Sequence, residues 1–200
     1  MSQPYFMNDK YANLSKKNLD KIPFNLPDDI KILNCSYNNL SELPNTLPHS
    51  IKTLICDINH LYKLPKKLPP MLESLYCNNT HLQTLPSNLP IYLKNLYCSN
   101  NELTKLPDNL PKILEHLDCS FNKLTKLPDT LPDTLTHLDA DSNLLSSLPN
   151  LPESLTYINL KNNNPELYKK YPLMKPFSVG HYATQTVQYV NSMNHIYKSH

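Results

Sequence analysis

Two histidines and two aspartates recur at one spacing in the second half of the chain. The tripeptide His116-Leu117-Asp118 returns 21 residues later as His137-Leu138-Asp139. Imidazole and carboxylate groups together can ligate a divalent metal ion, or a carboxylate can orient a histidine that acts as a general base. A metal-dependent or hydrolytic activity at this cluster is therefore one hypothesis. An open sheet surface would exclude water poorly, which favours a cross-strand contact on an exposed face instead.

Five cysteines show the same interval of 21 residues: Cys35, Cys56, Cys77, Cys98 and Cys119. Structural zinc sites bring paired ligands two to four residues apart, and no such pair is present. Side chains that point the same way from neighbouring coils do not converge as a disulfide requires. We therefore predict reduced thiols that fill a narrow interior as small apolar groups.

The remaining residues follow the same repeat. Units of approximate pattern LxxLxCxxNxLxxLPxxLPxx begin at Ile30, Ile51, Leu72, Leu93, Leu114, Leu135 and Leu155. We predict an N-terminal segment with a degenerate cap repeat over residues 1–29, a repeat array over 30–172 and a tail over 173–200. Residues 1–13 show no pattern of their own. In the tail, Val187, Val190, Met193 and Ile196 are spaced for a short amphipathic helix. This helix either docks on the array or hangs free as a peptide that binds another molecule.

Each unit changes character halfway. The first half alternates apolar and polar residues, which predicts a strand with one buried face. The second half carries prolines four residues apart, such as Pro86 and Pro90, and these exclude a regular α-helix. One unit cannot bury its own leucines, so the units must stack. The pattern predicts a solenoid with a parallel sheet, one strand per repeat, and an extended or polyproline-like opposite side.

The motif LxxLxCxxNxL resembles the signature of leucine-rich-repeat proteins. The LPxxLP half is similar to the short repeats of bacterial type-III-secreted effectors of the YopM and IpaH kinds, and the composition also resembles repeat proteins of giant viruses. The resemblance implies the α-β horseshoe class, here mostly β, and an asparagine ladder in which Thr80 replaces one asparagine. IpaH proteins carry a catalytic cysteine beyond their repeats. No cysteine follows Cys119, so that ligase activity is not transferred.

The outward strand positions form the concave face in this class of fold. Its first half presents apolar and aromatic side chains, and its second half presents acids beside histidines, a composition typical of interaction surfaces. We predict partner contacts at Ile32, Ile55, Tyr76, Tyr97, His116, Asp118, His137, Asp139 and Asp141. The alternative is that these side chains are merely solvated.

The composition excludes several other functions. A single glycine excludes phosphate-binding glycine loops and nucleophile elbows. A net charge of +2 with no arginine argues against nucleic acid as a partner. With no apolar run of membrane-spanning length and no secretion signal in the first thirty residues, we expect a cytoplasmic monomer, including the host cytoplasm if it is an effector.

The sequence therefore predicts a non-enzymatic protein-binding module without cofactor or metal. Besides activity at the His/Asp cluster, an assembly role through stacked coil ends remains an alternative.

Overall fold

The computed structural model describes residues 6–8, 10–23, 25–173 and 183–198, and its strands form one nine-stranded sheet in chain order. The strands are β1 Phe6–Asn8, β2 Tyr11–Asn13, β3 Ile32–Asn34, β4 Thr53–Ile55, β5 Ser74–Tyr76, β6 Asn95–Tyr97, β7 His116–Asp118, β8 His137–Asp139 and β9 Tyr157–Asn159. Strands β2 to β9 pair in parallel, each in register with its neighbour. The predicted leucine-rich-repeat solenoid is thus confirmed.

The N-terminal end of the sheet differs from the repeats. Strand β1 runs antiparallel to β2, with a register irregularity between Phe6 and Asn8. Both strands lie partly or wholly within residues 1–13, where the sequence shows no pattern. Strand β2 is held by its in-register pairing with β3, about 20 residues later in the chain. Its own three residues do not predict this long-range contact.

The core is a stack of leucine columns closed by the cysteines. The central residue of each strand from β2 to β9 is buried, and so are all five thiols. Each sulfur lies 3.2 to 3.4 Å from a carbonyl oxygen of the next coil, as Cys56 Sγ does from Tyr76 O. Burial raises the pKa of Cys35 to about 12. The thiols act as small, protonated packing groups.

The second proline of each LPxxLP segment forms the turn into the next strand. Its carbonyl accepts a hydrogen bond from the backbone N–H three residues later, as Pro90 O does from Leu93 N at 3.0 Å and Pro111 O from Leu114 N at 3.0 Å. Proline suits this position because the turn needs its carbonyl and not its missing N–H. The described residues between 10 and 164 contain no helix.

A second turn follows each strand from β3 to β9 and requires left-handed backbone. One residue of each coil from Tyr37 onward has φ between +51° and +56°, and none of these residues is glycine: Tyr37, Ile58, Asn79, Asn100, Phe121, Ser142 and Asn162. Asparagine tolerates this region, whereas β-branched Ile58 is disfavoured there. The turn geometry is therefore imposed by the stack and not by local preference.

An asparagine ladder joins the coils behind these turns. Asn59 Nδ2 donates to Cys56 O in its own coil and to Cys35 O in the preceding coil, both at 3.0 Å, while its Oδ1 accepts from Leu40 N at 3.0 Å. The same bonds recur at Asn38, Asn122, Asn143 and Asn163. The predicted ladder is confirmed.

Thr80 is the short rung of this ladder. Its hydroxyl contacts Cys77 O at 3.3 Å in its own coil and Asn101 Oδ1 at 2.5 Å in the following coil. Within the described part of the chain, no hydrogen bond joins this side chain to the preceding coil, because threonine is too short to reach it. The Thr80 side chain therefore links its own coil to the following coil, whereas the asparagine side chains link their own coil to the preceding coil.

Two helices close the C-terminal end. Helix α1, Pro165–Lys170, begins with Asn164 as its cap, whose Oδ1 accepts from Glu166 N at 3.0 Å, and it buries Leu167. Tyr168 Oη donates to Leu160 O at 2.8 Å, so this end of the array carries a helix in place of a further strand. The described residues contain no helix that is long and apolar enough to cross a membrane.

Helix α2, Ala183–Lys198, packs on the last coil through apolar and polar contacts. Val187 and Val190 are buried, whereas Ile196 is 49% exposed. Asn191 accepts from Leu151 N at 2.7 Å and donates to Leu151 O at 2.9 Å. The hydroxyl of buried Tyr171 donates to Asn194 Oδ1 at 2.6 Å. Two asparagines, and not only the spaced apolar residues, hold this helix in place.

Candidate functional site

The in-register strands align their outward side chains into columns along the concave face. One column contains Ile32, Thr53, Ser74, Asn95, His116, His137 and Tyr157, and the next contains Asn34, Ile55, Tyr76, Tyr97, Asp118, Asp139 and Asn159. Asp141 lies two residues beyond Asp139. All nine residues predicted from the sequence are partly or fully exposed on this face. Neighbouring parallel strands lie about 4.8 Å apart, so each column is continuous.

The first half of the face is apolar and aromatic. The rings of Tyr76 and Tyr97 stack with centroids 4.7 Å apart and planes 9° apart. Ile32 is 37% exposed at the N-terminal end, and half-buried Ile55 lies beside Tyr76 in the register. Burial, followed by the neighbouring Tyr76 and Asp118, raises the pKa of Tyr97. The stacked pair offers a flat apolar surface on which a partner side chain could pack.

The two histidines stack on each other and do not face the carboxylates. The ring centroids of His116 and His137 are 4.4 Å apart, and Tyr157 continues the row at 5.8 Å from His137. Thr136 Oγ1 lies 2.9 Å from His137 Nδ1, whereas the buried Nδ1 of His116 has no hydrogen-bond partner in the described structure. Burial, then the nearby His116, lowers the pKa of His137.

The aspartates lie side by side in the adjacent column. Asp118 Oδ1 accepts from Ser120 N at 3.0 Å and from Ser120 Oγ at 2.7 Å. Asp139 Oδ1 accepts from Asp141 N at 3.0 Å, and its Oδ2 accepts from Asn159 Nδ2 at 3.2 Å. Burial raises the pKa of Asp139, an effect that these hydrogen bonds oppose and that Asp118 and Asp141 reinforce.

The positions of the two histidines and the two aspartates do not favour the metal-dependent or hydrolytic hypothesis. The register places His116 beside His137 and Asp118 beside Asp139, so like groups are neighbours across the strands. Among the residues that the structure describes, no group of three or more histidine, cysteine, aspartate or glutamate side chains is arranged to hold a metal ion. Neither imidazole hydrogen-bonds a carboxylate in that part of the chain. In the described residues the histidines are therefore not oriented by a carboxylate, as a carboxylate-assisted general base would be.

Tyr157 and Asp57 also lie on the concave face but are not among the nine predicted residues. Tyr157 closes the histidine row, and its hydroxyl lies 3.4 Å from Asp139 Oδ2. Asp57 accepts from Asn78 N at 2.6 Å, and burial raises its pKa. Both residues lie at outward positions of the repeat, so the alignment of the repeat units was sufficient to identify them.

A further group of stacked aromatic rings lies outside the predicted site. The rings of His60 and His81 stack at 5.8 Å, and Tyr62 stacks on His81 at 5.7 Å. His60 and His81 occupy the same position of two successive repeats, and Tyr62 lies two residues beyond His60. The stacking of the two coils brings the three rings together.

The chain is similar to known repeat proteins in sequence and in structure. The Leucine Rich Repeat family model matches residues 92–113 and 114–133. YopM from Yersinia enterocolitica WA-314 is 35% identical, with a TM-score of 0.65, over 77% of this chain and 38% of that one. A Shigella effector LRR domain is 32% identical, with a TM-score of 0.65, over 84% of this chain and 78% of that one. The leucine-rich repeat domain of APL1B is 25% identical, with a TM-score of 0.68, over 78% and 49% of the two chains.

No curated protein matches the sequence. The chain spans only 38% of YopM but more than three quarters of the Shigella effector domain. The shared fold, the ladder and this identity support one assignment: the chain belongs to the leucine-rich-repeat family, and its repeats resemble those of bacterial effectors.

Proposed function

We propose that the protein is a non-catalytic binding module that holds a partner protein against its concave face. The leucine-rich-repeat fold generally serves as a protein-interaction scaffold, because stacked repeats create an extended curved surface. The observation that carries the proposal is the composition of that surface here. The stacked pair Tyr76–Tyr97 adjoins Asp118 and Asp139 on one continuous array of strands.

The stacking of the two histidines supports a non-catalytic role. His116 packs face to face with His137, at 4.4 Å between ring centroids, so both rings act as parts of a surface. The neighbouring Asp118 and Asp139 each accept a hydrogen bond from a backbone N–H group of the same face through one carboxylate oxygen. These contacts favour binding over hydrolysis.

The remaining features of the proposal concern state and location. We propose that the protein is a monomer. Antiparallel β1 and helix α1 occupy the two ends of the stack, where the repeats of a second copy would otherwise pack. The five free, buried thiols suit a reducing compartment such as the cytoplasm, including that of a host cell. The unpaired acids of the concave face disfavour nucleic acid and anionic membrane surfaces as partners.

Site-specific photo-crosslinking tests the surface. A photoreactive phenylalanine analogue replaces Tyr97 on the concave face or Lys105 on the opposite side of the same coil. We expect a partner to crosslink from position 97 and not from position 105 in lysate of the producing or infected cell.

A variant pair completes this test. Tyr76→Ala/Tyr97→Ala/Asp118→Lys should keep its circular dichroism spectrum but lose at least tenfold of the captured partner. Lys105→Ala/Asp108→Ala/Lys126→Ala, on the opposite side, should retain the partner. Retention by the first variant and loss by the second would overturn the proposal.

A further inference from the structure

One half of the concave face is apolar and aromatic, and the other half is acidic. This difference indicates the chemistry of the partner that the face would bind. We infer that the face binds an extended partner segment that carries an apolar side chain and, about three residues away, an arginine or a lysine. This inference rests on the proposed function and adds the chemical class of the partner. It depends on three observations: an exposed apolar platform, carboxylates without counter-ions, and the fixed distance between them.

The apolar platform is made by Tyr76 and Tyr97. Their parallel rings, 4.7 Å apart, are bordered by half-buried Ile55 in the same column. Outward strand positions have no packing role in the core, so nothing in the repeat itself requires aromatic residues there. Parallel rings of this kind bury a large apolar area when an aliphatic or aromatic side chain covers them.

The carboxylates of the face form no ion pair with a basic side chain among the residues that the structure describes. None of the ion pairs formed by the described residues involves Asp57, Asp118, Asp139 or Asp141. The column of residues just before the strands, beyond the column that contains His116, is neutralised along the stack. There Lys52 pairs with Glu73 at 2.7 Å, and Lys94 pairs with Glu115 at 3.7 Å. The chain therefore balances its charges in that column but leaves the acidic column negative.

Aromatic rings border the acidic pair. Tyr97 precedes Asp118 in the same column, and Tyr157 reaches Asp139 Oδ2 with its hydroxyl at 3.4 Å. A cation between these rings would meet carboxylates and π-faces together. A planar guanidinium suits both contacts better than an ammonium does, which makes arginine the preferred cation.

The stack sets the spacing of the motif. The centre of the Tyr76–Tyr97 pair lies two coils from the centre of the Asp118–Asp139 pair. Two coils span about 9.6 Å, which an extended peptide covers in about three residues. The partner segment must therefore run along the stack, across the strands.

Selection from a phage-displayed random 12-residue library tests the inference with the full chain. We expect wild type to enrich peptides with an apolar residue and an arginine or lysine two to four positions apart. Asp118→Asn/Asp139→Asn should lose the enrichment of basic residues but keep that of apolar residues. Asp108→Asn/Asp129→Asn, which removes two exposed acids from the opposite side, should enrich the same motif as wild type.

Synthetic versions of one enriched peptide then measure the contribution of the charge. Replacement of its arginine by neutral citrulline should weaken binding to wild type about tenfold, as expected for a charge-assisted hydrogen bond. The same replacement should change binding to Asp118→Asn/Asp139→Asn less than twofold. Lysine in place of arginine should give an intermediate affinity.

The outcomes separate this inference from the proposed function. Enriched apolar peptides without basic residues, bound at Tyr76 and Tyr97, would overturn the inference and leave concave-face binding intact. Failure to enrich any peptide that Tyr76→Ala/Tyr97→Ala weakens would overturn both. Binding that disappears in EDTA would assign the carboxylates to a metal ion and overturn the inference. Concentration-dependent dimerisation abolished by Asp118→Asn/Asp139→Asn would make a second copy the occupant and overturn it as well.

Discussion

The charge of Asp139 carries a cost in stability. Burial and the nearby Asp118 and Asp141 raise the pKa of its carboxyl group, so the folded protein disfavours the charged form that the unfolded chain accepts freely. The cost is absent below the ordinary pKa of an aspartate and is fully present once the pH exceeds the raised value. The partner contact that we propose for this face accounts for a charged side chain at this position.

Replacement of Asp139 should show this cost directly. Because asparagine cannot ionise, Asp139→Asn should have a free energy of unfolding at pH 7 that exceeds that of wild type by about 0.5 kcal/mol, a small value suited to a half-exposed group. The difference should shrink as the pH falls to 4. Urea titrations at several pH values measure it, and Asp108→Asn on the opposite side serves as the control. A difference that grows towards pH 4 would contradict the prediction.

Ile58 is the second residue with a measurable penalty. Its backbone has φ of +53°, where a β-branched side chain is disfavoured. Ile58→Asn should raise the free energy of unfolding by about 1 kcal/mol, since the left-handed region costs L-residues about that much. Ile58→Val keeps the branched side chain and should give no gain. Equal stability of the two variants in urea denaturation would show that the turn is not strained.

The asparagine ladder sets stability at the scale of the element. Within the described residues, the Thr80 side chain makes no hydrogen bond to the preceding coil. The asparagines of the ladder do make one, as Asn59 Nδ2 does to Cys35 O at 3.0 Å. Thr80→Asn should restore bonds worth about 0.5–1.5 kcal/mol each and raise the free energy of unfolding by about 1–2 kcal/mol. Urea denaturation measures the gain. Thr84→Asn, on an exposed turn of the same coil, should change stability little, and a comparable gain there would remove the ladder as the cause.

The whole molecule depends on the closure of its C-terminal end. A repeat array exposes the core of its last coil unless another element covers it, and here α1 and α2 do so. Asn191 links α2 to both backbone groups of Leu151. Asn191→Ala should therefore lower the free energy of unfolding by about 2 kcal/mol, at 0.5–1.5 kcal/mol for each lost bond.

Hydrogen exchange locates this effect. In Asn191→Ala, the amides of α2 and of residues 148–151 should exchange faster, while those of β4 to β6 stay protected, because each coil contacts only its neighbours. Gln188→Ala, on the exposed side of α2, is the matched control and should match wild type. Uniform loss of protection along the array would show that the coils unfold as one unit.

Much of the fold follows from the sequence alone because each constraint recurs in at least five repeat units. The recurring leucines and cysteines identify the core, the prolines exclude helix, and the asparagines identify the ladder with Thr80 as its exception. The outward columns that contain Tyr76, Tyr97, Asp118 and Asp139 also follow from the register, since successive strand residues alternate between two faces.

Other features depend on contacts between distant parts of the chain. Strand β2 exists because β3 offers it an in-register edge, and α2 is held by Asn191 and Asn194, whose roles no apolar spacing reveals. The sequence determined which residues face outward, because repeat spacing fixes the register. Only the tertiary structure decided that His116 stacks on His137 and that, within the described ranges, the aspartates of the concave face form no ion pair. Side-chain packing across coils, and not spacing, selects which of several neighbouring groups come into contact.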